Sequence, residues 1–190
     1  MKRFLAPAVL TLAALLTACS SSVPKSAEDA QIRHTQVTQA ITDLKQEDPT
    51  LEKLFKNAYA YAIYPNVIAG GLGVGGFSGN GEVYQGGKFV GYSKVSGGNI
   101  GYQIGGQSFV QAVFFQNEAA FSNFKTGTLE FDAKATAVAA KSGAGAQADY
   151  ANGIVAFALP RKGLMVQAAI GGQKFSFQPA DKIGGSDEKK

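Results

Sequence analysis

The chain has 190 residues, with 18 Lys and Arg against 14 Asp and Glu and a formal net charge of +4 at pH 7. That charge is mild and spread along the chain, which argues against a duplex-binding protein with its clustered basic face. The single cysteine, Cys19, excludes a disulfide framework within the chain.

The N-terminal segment has the pattern of a secretory signal peptide. Lys2 and Arg3 precede an apolar run over residues 4–16, which matches a basic region followed by a hydrophobic region. The run is about a dozen residues long, whereas a spanning helix needs about 20. We therefore expect residues 1–18 to be removed.

The predicted cleavage site resembles the lipobox of bacterial lipoproteins. Residues 16–19 read Leu-Thr-Ala-Cys, so the resemblance implies cleavage after Ala18 and acylation of Cys19. One acyl chain binds membranes only marginally, but several give stable anchoring. By resemblance to the bacterial sorting pattern, Ser20 predicts that the mature protein is anchored at the periplasmic face of the outer membrane. The alternative is an ordinary signal peptide with a cysteine near its end.

The first predicted element of the mature chain is a helix. Val37, Ile41 and Leu44 follow the i, i+4, i+7 spacing of one helix face, which predicts a helix from Ser26 to about Gln46. The only histidine, His34, falls in this segment, and we interpret it as a solvated surface residue.

A second helix is predicted from about Pro49 to Tyr59. Asp48 is a favourable N-cap and proline suits the first helical position. Lys53 and Lys56 lie on the predicted outer face of this helix.

After Pro65 the apolar pattern changes to a period of two, which is typical of strands. Segments 82–85 and 88–92 flank Gly86-Gly87, a two-residue hairpin signal. Residues 109–115 are apolar on both faces, so we expect a central, buried strand.

The C-terminal part continues this pattern after one short helix. Asn117 predicts the N-cap of that helix, Gly127 its end, and the inward residues are Ala120, Phe121 and Phe124. Further strands are predicted over 129–137, over 154–159 and 164–170 joined by a turn at 160–163, and over 174–178. The whole predicts an α+β fold, in which N-terminal helices precede a Gly-rich, mostly antiparallel β-barrel or sandwich.

No motif predicts a cofactor, a metal or catalysis. Residues 71–76 match G-x-G-x-x-G, but they do not open a helix and no acidic residue follows at the required distance. Glu130 and Asp132 share one strand face beside Lys134, which favours a solvated polar face. No nucleophile, acid and base converge, so we expect a non-enzyme.

The glycines between 70 and 81 leave two interpretations open. Gly71, Gly73 and Gly75 share one parity, so a strand here would lack side chains on one face, while Leu72 and Val74 point to the other. This bare face favours close packing of another backbone. A groove that admits an acyl chain is the alternative.

Five stretches in order resemble the SYLF domain family in its bacterial lipoprotein form. They are residues 60–65, 69–76, 101–108, 114–120 and 163–175. The resemblance implies a lipid-binding domain over 26–178, after a lipidated tether at 19–25 and before a charged tail at 179–190.

The resemblance implies binding to phospholipid or a membrane surface. A Trp-Ser-x-Pro stretch of the family is replaced here around Tyr92, so Tyr92 is the nearest substitute for the tryptophan. Basic residues that could meet anionic lipid are Lys53, Lys56, Arg161 and Lys162. The alternatives are a structural or adaptor protein of the cell envelope that binds another protein, and a hydrolase of lipid or cell wall. The sequence names no protein partner and predicts no nucleic-acid partner.

Overall fold

The computed structural model describes residues 21–129, 137–139, 141–162 and 173–182, without the side chains of 72–74, 99–106, 137–139, 162 and 182. In chain order the elements are α1 (Ala27–Glu47), α2 (Leu51–Asn57), β1 (Ala60–Gln85), β2 (Lys88–Phe115), α3 (Glu118–Thr126), β3 (Ala137–Ala139), β4 (Ile154–Lys162) and β5 (Lys174–Pro179). The predicted signal peptide, Cys19, the strand over 164–170 and the carboxylates Glu130 and Asp132 lie outside the described residues.

The N-terminal helix α1 confirms the prediction. Ser26 is its N-cap and accepts a hydrogen bond from the Asp29 N–H, and Val37 and Leu44 are buried. The predicted cap of the second helix is wrong, because α2 begins at Leu51 with Thr50 as its N-cap. Asp48 instead ends α1, since its own N–H donates to the Leu44 carbonyl.

A long hairpin, β1–β2, forms most of the sheet. Gly86 and Gly87, at φ 56° and 76°, form the predicted two-residue turn. The prediction that strands begin after Pro65 is wrong, because β1 already begins at Ala60. Proline has no N–H to donate, and Pro65 is accommodated where the β1–β2 register shifts between Tyr64 and Val67.

The second strand of the hairpin divides its length between two partners. Its segment 91–96 pairs antiparallel with β5, and its segment 108–115 pairs antiparallel with β4. The short strand β3 runs parallel to β4. The α+β class is therefore confirmed, and among the described strands the pairings leave the sheet open rather than closed into a barrel.

The predicted turn at 160–163 is wrong at its first positions. Pro160 pairs with Phe109 and Lys162 with Ser108, so both belong to β4. The apolar segment 109–115 is the predicted buried strand, with Val113 and Phe115 fully buried.

Strand β1 folds back on itself, and glycine permits the close approach. A Cβ on Gly79 would lie 2.8 Å from Cγ2 of Val67, and one on Gly81 would lie 2.7 Å from the Tyr64 ring and against the Ile63 carbonyl. Close packing therefore holds at these two glycines. The predicted bare face at Gly73 involves side chains 72–74, which lie outside the described residues.

The two faces of the sheet bury separate apolar clusters. Helices α1 and α2 cover one face, through Val37, Leu44 and Leu51. Helix α3 covers the other, through Phe121 and Phe124, with its predicted caps Asn117 and Gly127 in place. None of the helices in the described ranges combines the length and apolar character that a membrane-crossing helix requires.

Candidate functional site

A groove of about 700 Å³ lies between the N-terminal half of α1 and the bend of β1. Its wall comes from one helix, from two separated segments of β1 and from one residue of β2. The lining residues are Arg33, Gln36, Pro65, Asn66, Ile68, Gly70, Gly76, Phe77, Ser78, Gly79, Asn80 and Gly97. The groove exists because β1 doubles back, which brings residues 65–70 opposite residues 76–80.

The groove has both apolar and polar walls. Ile68 is 60% exposed, the most exposed of the large apolar side chains in the described part of the chain. Phe77 lies deeper, at 7% exposure. On the polar side, the Oδ1 atom of Asn80 is buried without a hydrogen-bond partner. A buried acceptor without a partner is uncommon in proteins, so this wall favours an occupant that carries a donor.

Arg33 is the cation of the groove. Its guanidinium donates to the main-chain carbonyl of Ser22 and lies 5.5 Å from the ring centre of Tyr92. Burial lowers the pKa of Arg33, whereas the negative charge of Glu82 acts in the opposite direction. The positive charge of Arg33 thus borders the groove and interacts electrostatically with a buried carboxylate.

That carboxylate, Glu82, is only 2% exposed. Its Oε2 atom accepts a 2.6 Å hydrogen bond from the Tyr84 hydroxyl and lies 3.1 Å from Nδ1 of His34. Burial first, and then Glu82, raise the pKa of Tyr84, so the phenol remains a donor. We refer to Glu82, Tyr84, His34, Arg33 and Tyr92 as the Glu82 cluster.

The Glu82 cluster was not predicted from the sequence. The interpretation of His34 as a solvated surface residue is incomplete, since the half-exposed imidazole contacts a buried carboxylate 48 residues away. One signal was available: Glu82 and Tyr84 share a strand face, as residues i and i+2 must. His34, the partner on α1, is too distant in sequence for its spacing to indicate this contact.

Beside the groove lies a smaller cavity of about 300 Å³, lined by Gln36, Gln39, Pro65, Asn66 and Arg161. Arg161, a predicted lipid contact, donates through Nε to the Pro65 carbonyl at 3.1 Å. Its Nη2 atom lies 3.4 Å from Oδ2 of Asp43. Arg161 is therefore placed next to the groove.

The other predicted lipid contacts lie in different surroundings. Lys53 and Lys56 are exposed on α2, and neither lines the groove or the smaller cavity. Tyr92 is 7% exposed and is covered by Arg33. The side chain of Lys162 lies outside the described residues. The structure thus brings Arg161 to the groove and places Tyr92 behind Arg33.

The chain is similar to a known protein. No family model matches it. It is 30% identical over 154 residues to "Beta cell expansion factor A" of Aeromonas veronii, and the match covers 80% of this chain and 59% of that protein. This chain therefore spans less than two thirds of the length of the curated relative it matches. The two proteins are homologous over most of this chain.

Proposed function

We propose that this protein is a lipid-anchored member of the SYLF family that binds phospholipid without catalysis, at the periplasmic face of the outer membrane. The observation that carries the proposal is the groove beside Arg33, with Ile68 exposed on its wall. Ile68 is 60% exposed. An apolar group that covers this side chain is bound favourably, because apolar surface is removed from water.

The lining suits an amphipathic molecule. Ile68 and Phe77 supply contact for an acyl chain, and Arg33 supplies positive charge for a phosphate. Arginine binds phosphate oxygens through two parallel N–H donors, which makes it effective for such groups. The volume of the groove, about 700 Å³, lies in the usual range for small-molecule pockets.

The exposed basic residues add a weaker, surface component to the proposal. A basic side chain near an anionic membrane contributes about 1 kcal/mol. Arg161 adjoins the groove, whereas Lys53 and Lys56 are exposed on α2. We expect salt to weaken this component, since surface charges are screened within ~8 Å at physiological ionic strength.

Vesicle flotation of the chain without its anchor tests the proposal. The mature chain with Cys19→Ala is mixed with vesicles of phosphatidylethanolamine and phosphatidylglycerol, so that binding depends on the folded domain. Ile68→Asp places a charge on the apolar wall, and we expect it to abolish most of the flotation.

The chain offers a matched control in Ile32→Asp. Ile32 is 50% exposed on α1 and does not line the groove, so it carries nearly the same exposed apolar surface elsewhere. We expect Ile32→Asp to float like the parent chain. Equal losses for the two variants, or no flotation of the parent chain, would contradict binding through the groove.

A further inference from the structure

The N-terminal tether is seated on the domain before α1 begins. Ser22 is 5% exposed, and its carbonyl oxygen accepts a hydrogen bond from the Arg33 guanidinium. The Val23 N–H also donates to the Ser21 hydroxyl at 3.1 Å. The first described residues therefore lie against Arg33, which lines the groove.

Covalent geometry limits how far the predicted anchor lies from this point. Cys19 precedes Ser22 by three residues, and an extended chain spans at most about 3.3–3.6 Å per residue. Cys19 is thus no more than about 11 Å from Ser22. The headgroup layer on each side of a bilayer is roughly 6 Å thick, so an anchor of this length holds Arg33 near the headgroups.

We propose that the contact between Ser22 and Arg33 orients the domain on its anchoring membrane, with Ile68 and the mouth of the groove against the phospholipid headgroups. This inference rests on the proposed lipid anchor and names the surface that the membrane meets. The opposite layer of the fold, where α3 packs through Phe121 and Phe124, faces away from the bilayer. The groove occupant is then a phospholipid of the same membrane.

Two variants, each with one introduced cysteine, test the orientation in the full, lipid-anchored protein. Acylated Cys19 has no free thiol and the chain contains no other cysteine, so an introduced cysteine takes a fluorescent label alone. Ile68→Cys reports on the groove, and Ser122→Cys, exposed on α3, reports on the opposite layer. The labelled proteins are reconstituted in phosphatidylethanolamine and phosphatidylglycerol vesicles that contain a lipid-attached quencher.

We expect the label at position 68 to be quenched several-fold more than the label at position 122. Equal quenching, or stronger quenching at 122, would overturn the orientation. Adding Arg33→Ala to both variants should bring the two signals close together while the protein stays in the membrane fraction. A persistent difference in that background would overturn the role of the Ser22 contact.

The two proposals fail in distinguishable ways. Flotation of the anchor-free chain that depends on Ile68, together with equal quenching at the two positions, would leave the lipid-binding function standing and overturn the orientation. If the anchor-free chain does not float but the anchored chain shows unequal quenching, lipid binding by the groove is overturned and the orientation stands.

Discussion

Two buried carboxylates in this fold have contrasting surroundings. Asp48 is fully buried and accepts hydrogen bonds from the N–H groups of Thr50, Gly143 and Gly145, at 3.0, 3.1 and 2.6 Å, and from the Thr50 hydroxyl. Glu82 is also buried, but its partners are the side chains of Tyr84 and His34, and the His34 imidazole is half exposed. The first carboxylate is held mainly by backbone, the second by side chains on α1 and β1.

The difference suggests that Asp48 has a structural role, whereas the surroundings of Glu82 can adjust. Backbone donors cannot turn away, so Asp48 ties the end of α1 to residues 143–145, which lie 95 residues or more further along the chain. The side chains around Glu82 can change rotamer. Arg33 of the same cluster also lines the groove, so the Glu82 cluster adjoins the proposed lipid site.

The largest effect is expected for Asp48→Asn. The amide replaces one acceptor oxygen with a donor, so at least one buried N–H loses its partner. Hydrogen bonds to charged groups and unpaired buried donors each cost 1–3 kcal/mol, and we expect a loss of about 3 kcal/mol in the free energy of unfolding. The control is Asp43→Asn on the same helix, where the partly exposed ion pair with Arg161 is worth about 0.5 kcal/mol. Urea unfolding measures both variants, and equal losses would contradict the assignment.

The effect of Asp48→Asn on the free energy of unfolding should depend on pH. Burial raises the pKa of Asp48, but the hydrogen bonds from Thr50, Gly145 and Gly143 outweigh it and hold the pKa below its ordinary value. A lowered folded-state pKa stabilises the protein above the unfolded pKa, about 3.9, and this stabilisation is lost as pH falls through the folded pKa. The stability advantage of the parent chain over Asp48→Asn should therefore be complete at pH 6 and decrease below about pH 4. A constant difference would contradict it.

A smaller effect is expected at Glu82. In Glu82→Gln the amide oxygen still accepts from Tyr84, but the charge that faces Arg33 is lost, so we expect a loss of about 1–2 kcal/mol in the free energy of unfolding. His34→Ala should cost less, about 0.5 kcal/mol, because the imidazole is 54% exposed and a hydrogen bond that water can replace contributes little. A loss at His34 as large as that at Asp48 would remove the contrast between the two sites.

Local signals predicted much of the fold. The caps Asn117 and Gly127 and the Gly86-Gly87 turn are each specified by residues within a few positions of the element they bound. Their chemistry needs no distant partner, because capping and turn formation satisfy neighbouring backbone groups.

The errors and omissions arise from long-range contacts. Asp48 resembles an N-cap, yet its carboxylate meets a loop 95 residues away as well as Thr50. Pro65 suggested a strand boundary, but a register shift accommodates it inside β1. The groove itself depends on β1 doubling back, and only the small size of Gly79 and Gly81 hinted at that approach.

The most direct test of the account is the phospholipid that the anchor-free chain retains. Mass spectrometry of the mature Cys19→Ala protein, purified without detergent, should find bound phospholipid. The Ile68→Asp variant should lose it with an unchanged melting temperature, and Ile32→Asp should keep it. A parent chain without phospholipid, or equal retention in all three proteins, would contradict the central claim that the groove beside Arg33 binds lipid.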